Sequence, residues 1–369
     1  MKLVAKLLGT GVLALIVFGL FFVWLSPQFG ARDKTFSAQA SDQSPHFNGE
    51  VFANLEGPLS DSVGFSTMRR YYSSPNRTPD WTLPVVARQP DEFDAPPDQT
   101  RLTWFGHSAV LLETAGKRLF IDPMLGSVPA PLPWLTGKRF NPKLPLDIDK
   151  IPELDAIVIS HDHYDHLDYR SISKLKDRTL KFFVPLGVGA HLHVWGVEPE
   201  KIVELDWWQT ATFDELELTA TPAKHFSGRG FNDRDTTLWA SWVIVSPNAR
   251  LFFSGDSGYT PTFKKIGERY GPFDLAMVEC GQYDRDWADV HMFPEQTVQV
   301  NQELNSKLLL PIHWGSFSIA AHTWDDPIKR ATSAAAKNDV AIATPVIGQT
   351  LTLGEHVVNQ PWWKNKPDR

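Results

Sequence analysis

Apolar and polar positions along the chain fall into three regimes. From Leu7 to Leu25 the apolar run is broken only by Gly and Thr, and Lys2 and Lys6 precede or enter it. A bilayer span needs about 20 apolar residues, whereas a signal-peptide core takes only about 7–15. The run therefore predicts an N-terminal signal anchor over residues 1–30, although Ala38-Gln-Ala40 fits a small-residue cleavage pattern farther on. The amino-terminal lysines favour retention of that end inside, with the body on the exported, periplasmic side. Residues 31–50, rich in Ser, Gln, Asp and Ala, read as a flexible tether, and the Pro-rich residues 51–100 as an irregular wrap.

From residue 101 the pattern turns to short strands. Arg101–Phe105, Ser108–Glu113 and Arg118–Asp122 come first, the last two joined by a Thr-Ala-Gly-Lys hairpin signal. Further strands are predicted at Ala156–Ile159, Lys181–Val184, Glu215–Ala220, Trp239–Val245, Leu251–Ser254, Leu275–Val278 and Leu308–Ile312. Helical periodicity covers Tyr169–Leu175, Pro261–Tyr270 and Pro294–Leu304. Strands interleaved with helices and hairpins predict a mixed α/β sandwich over residues 101–369.

Composition narrows the picture by exclusion. A net charge of −7 with no basic stripe argues against a nucleic-acid binder. A single cysteine, Cys280, excludes an internal disulfide framework and a Cys-rich zinc knuckle; at the end of an apolar run it reads as a small buried residue. The tryptophan pairs Trp207-Trp208 and Trp362-Trp363 read as core or interface packing.

The chemistry concentrates just after predicted strands, where loops are held by a rigid sheet. The stretch Ser160-His-Asp-His-Tyr-Asp-His-Leu-Asp-Tyr169 directly follows an apolar strand. In a loop, His161 and His163 point the same way and can grip one ion, while Asp165 and His166 face a second. Imidazole and carboxylate suit zinc. His225, Asp256 and His313, each at a predicted strand end near glycine, are the natural completions, and a carboxylate such as Asp256 can bridge two cations. A water activated between them would attack phosphorus or a carbonyl carbon. His191 and His193 sit in a helix-like stretch on different faces and read as structural; His322 is a candidate for the site mouth, and His107 for its wall.

His161-x-His163-x-Asp165-His166 followed by His225, Asp256 and His313 resembles the metallo-β-lactamase superfamily. The resemblance implies an αββα sandwich holding two Zn2+ ions: His161, His163 and His225 on the first, Asp165, His166 and His313 on the second, Asp256 between them. The segments "TWFGHSAVLLE", "TPAKHFSGRG", "DTTLWASWVI", "FFSGDSGYTPTFKKIGERYGPFDLAMV", "PEQTVQ" and "PIHWGSF" resemble the branch of zinc phosphodiesterases that includes N-acylphosphatidylethanolamine-hydrolysing phospholipase D. That likeness implies a phospholipid or other phosphodiester substrate, cleaved to phosphatidic acid and an N-acylethanolamine. It implies Asp165 as the residue that orients the nucleophile, and His291 as a group near the metals able to protonate the leaving oxygen. Phe293-Pro294 stands where the family usually has Asp-Pro or Asn-Pro. A lactonase or small-phosphodiester hydrolase on the same site, and a non-catalytic envelope protein, are the alternatives.

Overall fold

The computed structural model describes residues 10–11, 19, 22–23, 25–33, 35–60, 64–132, 136–356 and 359–364. Most of the run anticipated as an anchor lies outside these residues. Among the described residues no helix is long and apolar enough to cross a membrane.

Two sheets form the body. The first is seven-stranded, in the order β13-β1-β2-β3-β4-β5-β6: β13 (Thr350–Thr352), β1 (Thr100–Trp104), β2 (Val110–Thr114), β3 (Lys117–Ile121), β4 (Leu154–Val158), β5 (Thr179–Pro185) and β6 (Ile202–Leu205). The second is six-stranded, in the order β12-β11-β10-β9-β8-β7: β12 (Leu309–Ile312), β11 (Leu275–Glu279), β10 (Arg250–Phe253), β9 (Ser241–Val245), β8 (Leu216–Thr221) and β7 (Thr210–Phe213). The β2–β3 hairpin turns through Ala115 and Gly116, at φ 49° and 68°, the positive values that match strand twist in a tight hairpin.

Alternation along the strands divides the core into three layers. Leu102, Val110, Leu119 and Val158 face Leu218, Trp242, Phe253 and Met277 between the sheets. The alternate residues of the first sheet, Leu111, Phe120, Ile157 and Phe182, face outward onto the helices α3 (Tyr169–Leu175) and α4 (Val188–Val194). Those of the second, Val243, Phe252, Ala276 and Leu309, face α5 (Thr262–Tyr270), α6 (Pro294–Glu303) and α7 (Asp326–Lys337). The result is helix, sheet, sheet, helix. Trp104, Trp314 and Trp362 pack ring against ring within the central layer, and Cys280 is buried there too.

Strand direction gathers the loops that matter. β3 and β4 run parallel, as do β10, β11 and β12; β8 shares the direction of β10 because both are antiparallel to β9. The ends of β3 and β4, and those of β8, β10, β11 and β12, thus each collect at one edge of their sheet. The two edges are tied together by Trp242 Nε1, which donates to the Ile159 carbonyl at 3.0 Å, and by the Ala240 amide, which donates to Ser160 at 2.9 Å.

The N-terminal segments are more ordered than their composition predicts. Residues expected to be a flexible tether form α1 (Thr35–Ser41), whose Ser37 hydroxyl donates to Glu204 and whose Phe36 stacks on His193 of α4. The reason is that His193 of α4 and Glu204 of β6 offer an aromatic and a polar partner that local composition does not reveal. The wrap over residues 51–100 contains α2 (Phe65–Ser73). Arg70 of that helix pairs with Asp284 at 2.7 Å and with Asp286, pinning the wrap to the loop after β11. Asn54 exchanges hydrogen bonds of 3.1 and 2.8 Å with the backbone of His225.

Candidate metal centre

The loop after β4 brings His161, His163, Asp165 and His166 to the shared edge, and the ends of β8, β10 and β12 bring His225, Asp256 and His313. The seven residues predicted as metal ligands meet there. His161 Nε2 lies 2.9 Å from His163 Nδ1, which lies 3.2 Å from His225 Nε2. Beside this triad, Asp165 Oδ2 is 3.7 Å from His166 Nε2 and 3.8 Å from His313 Nε2. Asp256 Oδ2 stands between the groups, 3.1 Å from His166 Nε2, 3.8 Å from His161 Nε2 and 3.9 Å from His225 Nε2.

Four of the five imidazoles, those of His161, His166, His225 and His313, are turned by a partner at their other ring nitrogen. Asp122, the residue after β3, accepts from His166 Nδ1 at 2.6 Å and from the Ser160 hydroxyl at 2.6 Å. The Ser160 hydroxyl in turn accepts from His161 Nδ1 at 2.9 Å. His225 Nδ1 donates to the Val290 carbonyl at 2.9 Å. His313 Nδ1 lies 3.1 Å from the Ser108 hydroxyl and 3.0 Å from Asp256 Oδ1. These bonds fix which ring nitrogen faces inward with its lone pair, the role such outer partners play around a metal ion. Replacing Asp122 with Asn should weaken metal binding about 10–100-fold at nearly unchanged thermal stability, measured by competition with a chromophoric chelator.

The backbone is bent to make this arrangement. His107, Asp122 and His313 adopt φ of 55°, 42° and 67°, each a left-handed conformation costing about 1 kcal/mol or more for a residue with a Cβ. Gly255, at φ 58°, has no Cβ to strike the Cβ of Ser160, which would stand at 2.7 Å. The loop carrying Asp256 can therefore lie directly against the histidine motif.

The donor set fits divalent cations. Around a tetrahedral ion with bonds of about 2.1 Å, neighbouring donors stand about 3.4 Å apart, and the separations above bracket that value. His166 Nε2 and His313 Nε2 are buried yet make no hydrogen bond, an unusual cost that ligation would relieve. Burial lowers the pKa of His161, His163 and His225 and brings His313 down to about 3, so these rings are neutral, the form that binds metal. Burial acts the same way on His166, but Asp256, Asp165 and Asp122 overcome it and push its pKa well up. Burial opposes ionisation of Asp165 and Asp256, yet the adjacent histidines hold both carboxyls below their usual range.

The remaining candidates separate. His107 Nε2 bonds Asp165 Oδ2 at 2.9 Å, orienting that carboxylate. His291 lies beside the centre, its Nδ1 4.0 Å from Asp256 Oδ2 and its ring stacked on His313. His322 accepts from the Gln282 amide at 2.8 Å and stacks on Tyr283. His191 is buried away from the donors, bonding Asp162 and the Ala31 amide, and His193 packs against Phe36. Asp122 and Glu279 were not singled out from sequence. Asp122 carries a usable signal, a carboxylate at a strand end directly before Pro123; Glu279 reads as the polar close of an apolar strand.

Comparison with known proteins identifies the family. The model of the beta-lactamase superfamily domain matches residues 117–314, from β3 to the turn after His313. An uncharacterized protein of Mycobacterium tuberculosis is 40% identical over 334 residues, covering 88% of each chain. N-acyl-phosphatidylethanolamine-hydrolyzing phospholipase D 1 of Caenorhabditis elegans is 34% identical over 250 residues, 64% of this chain and 70% of that one. Among solved structures, isothiocyanate hydrolase from Delia radicum gut bacteria shares the fold at a TM-score of 0.54 and 19% identity, covering 68% of this chain and 98% of that one. The chain is a metal-dependent hydrolase of the metallo-β-lactamase superfamily and belongs to its N-acylphosphatidylethanolamine-hydrolysing phospholipase D-like branch.

Proposed function

We propose that this protein is a dizinc phosphodiesterase that hydrolyses N-acylphosphatidylethanolamine, releasing N-acylethanolamine and phosphatidic acid. The observation that carries the reading is the pair of donor groups sharing Asp256 Oδ2, three histidine nitrogens on one side and Asp165, His166 and His313 on the other. Similarity to the Caenorhabditis elegans phospholipase D supports the choice of phosphodiester and lipid. The apolar run Leu7–Leu25 supports a membrane location for the enzyme, with its body on the exported side.

His161, His163 and His225 would hold one ion, Asp165, His166 and His313 the other, and Asp256 both. When bound, the ions supply Lewis acidity toward the phosphoryl oxygens and bring a water nucleophile to reactivity near neutral pH. Asp165, held by His107, orients the attacking water and accepts its hydrogen bond. Attack forms one P–O bond and breaks another, and the electron pair leaves on the ethanolamine oxygen. His291 supplies the proton that this oxygen needs: burial alone would lower its pKa, but Glu279 overrides that and raises it to about 9. Burial of the donor rings excludes bulk water and strengthens each charge interaction.

The test is hydrolysis of N-acylphosphatidylethanolamine by the full chain in detergent, beside a lactone panel, with and without a chelator. Chelator-sensitive release of N-acylethanolamine is expected. Lactone opening with an inert lipid would remove the phospholipase reading and leave the metal site.

A further inference from the structure

Glu279 closes β11 and is fully buried, yet its carboxylate is not spent on a structural ion pair with lysine or arginine among the described residues. Oε1 accepts from the Ser257 amide at 2.8 Å and, more loosely, from the Met292 amide at 3.4 Å. Oε2 faces His291 Nδ1 at 2.9 Å. The His291 ring is also fixed from its flanks, stacked on His313 at 5.1 Å and edge-on to His225 at 5.2 Å. The Met292 amide donates to the Ser257 carbonyl at 3.2 Å, so the backbones on both sides of the pair are zipped together. Once Nδ1 is committed to Glu279, Nε2 is the nitrogen without a protein partner among the described residues. The side chain remains 14% exposed, in an otherwise sealed cluster.

Resting on the phosphodiesterase reading above, the geometry points to Glu279 as the positioning residue for His291: it captures Nδ1–H so that Nε2 meets the leaving-group oxygen of the substrate. A buried neutral side chain would satisfy the Ser257 amide equally well. A carboxylate additionally selects one tautomer and one ring orientation, and balances the charge that His291 carries while it holds a proton. During the step the P–O bond breaks, its electron pair goes to the leaving oxygen, and the proton moves from His291 Nε2 to that oxygen. His291 ends neutral, still donating Nδ1–H to Glu279. Glu279 touches neither substrate nor leaving group.

The alternative is that Glu279 is itself a metal ligand, because Asp256, Glu279, His291 and His313 place donor atoms within 4.8 Å of one another. The experiment separates the two. The zinc-loaded full chain is assayed with N-acylphosphatidylethanolamine, whose alkoxide must be protonated, and with bis(4-nitrophenyl) phosphate, whose phenolate leaves unaided. Glu279→Ala should lower kcat on the lipid about a hundredfold with little change in KM, and lower turnover of the nitrophenyl ester far less. Glu279→Gln, which keeps an acceptor for Nδ1–H and guards against misfolding of the alanine variant, should restore part of the loss. His291→Ala should show the same split between substrates, and the double variant should be no worse than His291→Ala alone. Zinc content should stay at the wild-type value throughout.

Equal losses on both substrates, additive losses in the double variant, or a lost zinc ion would overturn the assignment. A wild-type enzyme that cleaves only the nitrophenyl ester would sink the lipid substrate instead. The positioning role would then be decided by histidine 15N spectra. A proton fixed on His291 Nδ1 in wild type and released from that nitrogen in Glu279→Ala supports it, and an unchanged spectrum overturns it.

Discussion

Asp256→Asn is expected to abolish hydrolysis and to strip the site of metal under conditions where the wild-type chain keeps it. Asp256 Oδ2 stands within 3.9 Å of inward-facing nitrogens from both donor groups, so one change removes charge from two positions at once. Altering a partner one layer out already weakens metal affinity or activity about 10–100-fold, so loss of the shared carboxylate should exceed about a hundredfold. The fold should survive, because Asn matches Asp in shape and the two sheets carry the core. Metal analysis after dialysis against a mild chelator, with a thermal melt, checks both parts. A variant that keeps its metal and more than a tenth of its activity would remove Asp256 from the centre of the account.

Trp242→Ala should be the most damaging change to stability, by about 3–5 kcal/mol for a fully buried large aromatic. Trp242 lies on β9 in the layer between the sheets, with no exposed surface. Its Nε1 donates to the Ile159 carbonyl at 3.0 Å, one residue before Ser160 and two before His161. The substitution therefore leaves a cavity and an unpaired carbonyl under the loop that carries His161, His163, Asp165 and His166. Denaturant unfolding should show the loss, and metal affinity should fall with it. Trp242→Phe keeps most of the volume but not the bond, and should cost markedly less. Comparable stability for alanine and wild type would mean that the edge holding the site is braced elsewhere.

Legibility in the sequence followed burial. Strands buried on both faces, such as Leu275–Glu279, announce themselves as apolar runs, and their ends lie where the runs stop. The strands that escaped notice lie at or beside sheet margins. β7 alternates exposed and half-buried residues that include two threonines, and β13 spans only Thr350–Thr352. Short edge strands carry little apolar signal because only one face needs covering. α7 escaped for a different reason: its buried face is built from Pro327, Ile328 and alanines, too small to stand out as a periodic stripe.

The inward-facing donors were readable because His-x-His-x-Asp-His is dense and local. The groups that orient them were not. Asp122 acts on His161 and His166 across 39 and 44 positions of sequence, and Glu279 on His291 across 12, so only the fold brings them together. His107, which the sequence suggests for the site wall, has a more specific contact: its Nε2 bonds Asp165 Oδ2 and holds that carboxylate.

The proposed site holds two ions that share one carboxylate. Native mass spectrometry of the purified, zinc-equilibrated protein tests it most directly. Two zinc ions per chain are expected, falling to one or none in Asp256→Asn. A single ion in the wild type, or a count that ignores the substitution, would contradict the account.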